Sequence, residues 1–235
     1  MASPAAEVLS EQERQVLREA LKTPRGRYDV TRAVQLSGVP RSTVYHWART
    51  GVLVPDYSTD TPKAWSYRDL VYLRLTVWLR IHGLALEDVA GLVRTWRELF
   101  ESDSDAPTEV LTDGIGVALG HFDEDILSGQ APFEKMAEYV AKFDLLAPVG
   151  IYELRRRHIW GPNLFRPTRQ TTISPWVMSG EPCLSGSRIP TSNLYALSIN
   201  RGLQPHEIAK LYPASEPVAI VEAIELETRL RKAAA

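Results

Sequence analysis

The residues that most restrict what this chain can fold into are 28–51, YDVTRAVQLSGVPRSTVYHWARTG. A short helix over 31–36 leads into Ser37-Gly38-Val39-Pro40, where Gly38 can supply the positive φ of a tight corner between helices. The spacing predicts a second helix over 41–49. Pro40 stands at its start, where a missing N–H costs little, and Gly51 ends it. In that helix Val44, Trp47 and Ala48 recur at i, i+3 and i+4 and face a core. Arg41, Ser42, Tyr45, His46 and Arg49 hold the opposite flank. Long donors beside an aromatic ring are what a helix in a DNA major groove presents. The same pattern also describes a solvated helix in an ordinary helical domain.

The following residues extend the helix-turn-helix. Val52-Leu53-Val54-Pro55 is a short β-like run, DYSTDT a turn-rich loop, and Lys63-Ala64-Trp65 a returning strand, so a wing is expected. Ser66 caps a helix, YRDLVYLRLTVWLR, with Leu70, Val71, Leu73, Val77 and Trp78 as its apolar face. His82-Gly83-Leu84 breaks it and Leu86-Glu87-Asp88-Val89 opens another. Residues 28–93, about 65 in the right order, resemble the MerR-type winged helix-turn-helix. The matching pieces are YDVTRAVQLSGVP, RSTVYHWARTGVL, the wing, WSYRDLVYLRLTVWLR and GLALEDVAGLV. The resemblance implies that Ser42, Thr43, Tyr45, His46 and Arg49 face bases or phosphates, with Arg41, Lys63 and Arg68 on the DNA backbone. It departs where that family usually has an Arg-Tyr pair and this chain has Tyr45-His46, so the docking mode carries over and the base preference does not.

The net charge of −2 conceals a split. Residues 25–97 hold eleven Lys/Arg against six Asp/Glu, residues 98–150 two against twelve, and residues 151–235 eleven against seven. The positive field therefore sits where the helix-turn-helix sits, and the acidic middle is expected to face away from nucleic acid. A hydrophobic share of 44% and a charged share of 24% are those of a globular protein. No apolar run nears the roughly 18 residues of a membrane span. The first residues lack a signal peptide's pattern, and a single cysteine, Cys183, excludes an internal disulfide. A cytoplasmic protein is the expectation.

Elsewhere the signals are weaker. Ser10-Glu11-Gln12-Glu13 is a capping box opening a helix with Val16, Leu17, Ala20 and Leu21 on one side. It is expected to be a packing appendage, on the winged domain or on a second subunit. Residues 101–107, ESDSDAP, read as a loop, and residues 109–119 fit no single pattern. Met136, Val140 and Phe143 predict a helix over 133–143. Arg155-Arg156-Arg157-His158 reads as a solvated run, or a nucleic-acid contact, leading into an extended connector with Trp160 and Phe165. From Ile173 on, turn residues precede three short helices, over 191–201, 204–211 and 217–230. Gly180-Glu181-Pro182, Gly186-Ser187-Arg188-Ile189-Pro190, Arg201-Gly202 and Tyr212-Pro213 in this stretch resemble a compact domain family of unassigned activity, found in prokaryotic proteins thought to act as antitoxins.

The expected fold is mainly α, with a MerR-like winged helix-turn-helix and a second small, helix-turn-helix-like helical domain joined by a mixed, partly irregular middle segment. The expected parts are an N-terminal helix (1–27), the DNA-binding domain (28–100), the acidic middle and connector (101–172) and the helical C-terminal domain (173–235). Together the two resemblances imply a VapB-type antitoxin, a cytoplasmic, homodimeric repressor of its own operon that binds operator DNA. It would also neutralise a PIN-domain ribonuclease toxin of the VapC type. Such a toxin has an acidic metal site, so Arg188, Arg229 and Arg231 are candidates for toxin binding, although Arg188 also reads as a structural tie in its own turn. The alternative is a ligand-responsive MerR-like regulator without a toxin, with an effector pocket around Trp96, Phe100, Phe133 and Phe143. Neither catalysis nor a cofactor is expected. His46, His82, His121, His158 and His206 are scattered and form no pair at metal spacing. Phe122-Asp123-Glu124-Asp125 lacks the ligand alternation of a calcium loop. Cys183 lies in a turn without a neighbouring histidine and reads as a packing residue.

Overall fold

In the computed structural model the helix-turn-helix is part of a mainly helical protein with small sheets. The structure describes residues 9–103, 105–112, 117–119, 141–146, 150–154 and 157–233. Phe122-Asp123-Glu124-Asp125, His121, Phe133, Arg155 and Arg156 lie outside them, as do residues 133–140 of the expected helix. The first helix, α1 (Glu11–Lys22), starts at Ser10 with the expected capping box, Glu13 Oε2 accepting from the Ser10 N–H at 2.8 Å. Its Leu17, Ala20 and Leu21 are buried in the main core, so α1 packs within its own chain.

Two short helices meet at the expected corner. Asp29 caps α2 (Val30–Ser37), its carboxylate accepting from the Arg32 N–H at 2.7 Å, and Gly38 ends it at φ 77°. After the corner comes α3 (Arg41–Thr50), closed by Gly51, also at φ 77°. Both glycines adopt a left-handed conformation that a side chain would strain. The expected wing is corrected. Val52 and Leu53 form no strand but tuck beneath α3, Leu53 N–H donating to Trp47 O at 3.2 Å. Strand pairing shrinks to two isolated bridges, Tyr57 with Ala64 and Tyr28 with Trp65. The short apolar run is needed in the core, which removes it from the wing.

The central helix is α4 (Tyr67–Ile81), begun by the Ser66–Asp69 capping box. It was expected to be amphipathic. Instead every residue from Tyr67 to Leu79 is buried, Arg68, Asp69 and Arg74 included. It is surrounded: Arg74 donates to Leu36 O at 2.6 Å on one side and to Pro162 O on the other, while Tyr67 Oη donates to Leu164 O. A helix covered on all faces must pair its polar groups internally. The next helix, α5 (Leu86–Ser102), buries Val89, Val93, Trp96 and Phe100.

The middle segment holds a three-stranded antiparallel sheet in which β1 (Glu109–Thr112) lies between β2 (Val117–Leu119) and β3 (Ala141–Asp144). This overturns the helix expected over 133–143 for its last three residues. Phe143 and Leu145 are buried while Lys142 is exposed, a period of two rather than 3.6. Phe143 stands opposite Val110 and lies against Trp78, ring centroids 5.5 Å apart. The connector is also more regular than expected. A hairpin of β4 (Gly150–Leu154) and β5 (Arg157–Gly161) takes in part of the basic run.

In the C-terminal part a two-residue ribbon, β6 (Thr171–Thr172) with β7 (Cys183–Leu184), leads into α6 (Thr191–Arg201), α7 (Pro205–Leu211) and α8 (Pro217–Ala233). Leu184, Leu194, Ile208, Ala219, Ile220 and Ala223 make a second small core. Helix α8 serves both cores, because its Leu226 and Leu230 belong to the main one. The turn before β7 is fitted to Tyr28, whose hydroxyl donates to Gly180 O at 2.9 Å. A Cβ on Gly180, which has φ +88°, would sit 2.0 Å from that hydroxyl. Gly180→Ala is therefore expected to cost about 1–3 kcal/mol from overpacking alone, with backbone strain in addition. Urea unfolding checks this, and a cost below about 0.5 kcal/mol would contradict the fit.

Candidate nucleic-acid interface

Helix α3 has the two faces that its spacing predicts. Val44 and Trp47 are buried, and Ala48 packs against the core. On the other face Arg41, Ser42, Tyr45, His46 and Arg49 are exposed, Tyr45 at 49%, and Thr43 is half-buried. Tyr45 is steadied by an edge contact with Trp65, ring centroids 6.4 Å apart. The corner pins this face, since Arg41 donates to Thr31 Oγ1 at 2.6 Å and joins the start of α2 to the start of α3. Lys63 is exposed on the loop closed by the Tyr57–Ala64 bridge. Among the described residues no carboxylate pairs with Arg41, Arg49 or Lys63. Arg27 nearby is bound to Asp60 at 2.6 Å.

One expected backbone contact is corrected. Arg68 is 4% exposed and faces inward. Its Nε and one terminal nitrogen each donate to the Asp56 carboxylate at 2.8 Å, and its other terminal nitrogen reaches Leu21 O and Lys22 O at the end of α1. The Asp56 carboxylate also accepts from Ser66 Oγ at 2.5 Å. Asp69 receives the Asp56 and Ser66 N–H groups at 2.9 and 2.8 Å and is bonded to Arg97. Arg68 thus ties the base of the wing loop to α1 and α4, where a phosphate cannot reach it. Burial alone would raise the Asp56 carboxyl, but the Arg68 hydrogen bonds and the Arg97 charge hold it below the usual aspartate range. Burial pushes the Asp69 carboxyl up to about 6, against the pull of Arg97.

The three arginines expected to meet a toxin differ. Arg229 lies over the Trp160 ring at 4.4 Å and Arg231 over Tyr195 at 4.5 Å, with a looser approach to Glu227 at 3.8 Å. Arg188 is exposed and makes no hydrogen bond within its turn, which overturns its reading as a structural tie. Of the residues expected around an effector pocket, Trp96, Phe100 and Phe143 are buried in the main core, and Phe133 lies outside the described residues.

A buried junction that sequence reasoning missed connects the helix-turn-helix to the C-terminal part. Arg32 of α2 gives its two terminal nitrogens to Glu227 at 3.1 and 2.7 Å. It also meets Glu181 at 2.8 Å and Gln35 at 3.0 Å. Glu227 is 0% exposed and accepts a further bond from Thr191 Oγ1 at 2.6 Å. The available signal was Glu227 itself, a carboxylate within the apolar Ala223–Leu226–Leu230 stripe of α8.

Among the described residues no group of three His, Cys, Asp or Glu side chains could hold a metal ion. No helix there is long and apolar enough to cross a membrane. Burial pushes the Cys183 thiol up to about 11, away from nucleophilic use. A family model described as "Protein of unknown function (DUF433)" matches residues 172–225, from the β6–β7 ribbon into α8. No curated protein and no solved structure matches the chain.

Proposed function

We propose that this chain is a sequence-specific DNA-binding repressor of the antitoxin kind, with α3 as its reading helix. The observation that carries the DNA reading is the exposed face of α3. Arg41 and Arg49 flank Ser42, Tyr45 and His46, Lys63 lies on the adjoining loop, and no carboxylate among the described residues pairs with these three cations. Unpaired cations are free to displace counterions from phosphates, while hydroxyl, phenol and imidazole groups suit base edges. One helix of this length offers few contacts, so a homodimer on two half-sites is the expected assembly. The antitoxin part of the proposal rests on the resemblance of the two ends of the chain. It assigns to the C-terminal helices the binding of a PIN-domain ribonuclease of the VapC type.

Arg49→Ala is expected to weaken binding to the DNA upstream of the chain's own gene. It should also lower the slope of log affinity against log salt by about one. Tyr45→Ala or His46→Ala should cost about 1–3 kcal/mol on the specific site and little on random DNA. Fluorescence anisotropy from low to high salt measures both, and unchanged affinity with an unchanged slope for Arg49→Ala would remove α3 as the reading helix. Co-expression with the neighbouring gene product, followed by pull-down, tests the toxin.

A further inference from the structure

The C-terminal part holds a cavity of about 310 Å³, lined among others by Thr172, Ser174, Val177, Glu181, Ser187 and Arg188. Its size is at the lower end for small-molecule sites. Its two charges are of opposite sign and neither is fully met. Arg188 has no carboxylate or hydrogen-bond partner among the described residues. Among the described residues Glu181 pairs with one cation and shares it, because the Arg32 guanidinium that it meets at 2.8 Å already gives both terminal nitrogens to Glu227. Arg231 lies over Tyr195 and approaches Glu227 at 3.8 Å. Burial raises the Glu181 carboxyl above its usual range, opposed by Arg32 and reinforced by the Glu227 charge. The lining also includes Thr172, Ser174 and apolar Val177.

We propose that this cavity is a binding site for a small zwitterion, an α-amino acid or a molecule with the same charged pair, its carboxylate on Arg188 and its ammonium on Glu181. A simple anion would meet the Glu181 charge and a simple cation the Arg188 charge, whereas a zwitterion satisfies both walls at once. The site goes beyond the DNA reading and does not depend on it, since binding is measured on the free full-length chain.

Calorimetric titration with glycine, L-alanine, L-serine, L-leucine and L-glutamate tests this, with acetate and methylammonium as half-ligands. At least one amino acid is expected to saturate in the millimolar range or below, about tenfold or more tighter than either half-ligand. Arg188→Ala should weaken it about tenfold or more with Tm unchanged, because the side chain is exposed and unpartnered. The proposal is overturned if no amino acid titrates up to ~50 mM, if acetate or methylammonium binds as tightly, or if Arg188→Ala leaves the affinity unchanged.

Discussion

Replacing Arg32 by alanine is expected to destabilise the chain by about 3–5 kcal/mol, because it leaves a fully buried carboxylate without its cation. Glu227 is 0% exposed and, among the described residues, would keep Thr191 and the distant, exposed Arg231. Glu181, 29% exposed at its side chain, could turn to water and should suffer less. The damage should be local in origin. Helix α8 is joined to α2 by this pair and to the main core by Leu226 and Leu230, so amide exchange should rise first in α8 and α2. A double variant, Arg32→Met with Glu227→Met, removes both charges together and should recover most of the loss, as isosteric apolar replacements of buried pairs do. The coupling energy from the four-member cycle, read by urea unfolding, is expected to exceed about 1 kcal/mol. A single-variant cost below about 1 kcal/mol, or strictly additive variants, would mean that the junction is held by apolar packing alone.

The same junction shows where the sequence was readable. Local signals were easy: Ser10 and Ser66 cap helices, Gly38, Gly51 and Gly202 end them, and the three C-terminal helices fall where their apolar spacing puts them. Each of these depends on residues within a turn or two of one another. The exposed face of α3 was legible for the same reason, since burying Val44 and Trp47 leaves Tyr45 and His46 outside. What escaped was decided by distant partners. Arg32, Arg68 and Arg74 look like surface cations in the sequence, yet their acceptors come from residues 195, 12 and 88 positions away. Counting them with the positive field overstated the charge available to DNA. Strand β3 escaped because Phe143 is spaced like a helical residue, and only its pairing opposite Val110 reveals the period of two. The cavity by Arg188 needs a turn, a ribbon and a carboxylate already committed to another helix, a combination without a linear signature.

Asp56→Asn is the counterpart at the wing, and its expected cost is about 3 kcal/mol, the lower end for breaking a buried pair. The Arg68 left behind keeps Leu21 O, Lys22 O and Glu101, the last at 2.9 Å, so it is not wholly stranded. Its pH dependence distinguishes this role from simple packing. Asp56 is held below the ordinary aspartate value of 3.8, so its contribution is fully present above that value and is lost as pH falls through its lower folded value. Asp69 moves the other way. Pushed up to about 6 by burial and by the Asp56 charge, it favours the protonated folded state, and that benefit disappears as pH rises from 3.8 through 6. The variant lacks the Asp56 charge, which relieves Asp69 too. The stability difference between wild type and Asp56→Asn should therefore be flat above about pH 6 and should shrink once pH drops below 3.8. Because Asp56 fixes the loop that carries Lys63, the variant should also bind DNA with a smaller salt slope at neutral pH, at a temperature where it remains folded. A stability difference that does not change from pH 7 down to about 3 would show that the carboxylate acts through shape rather than charge.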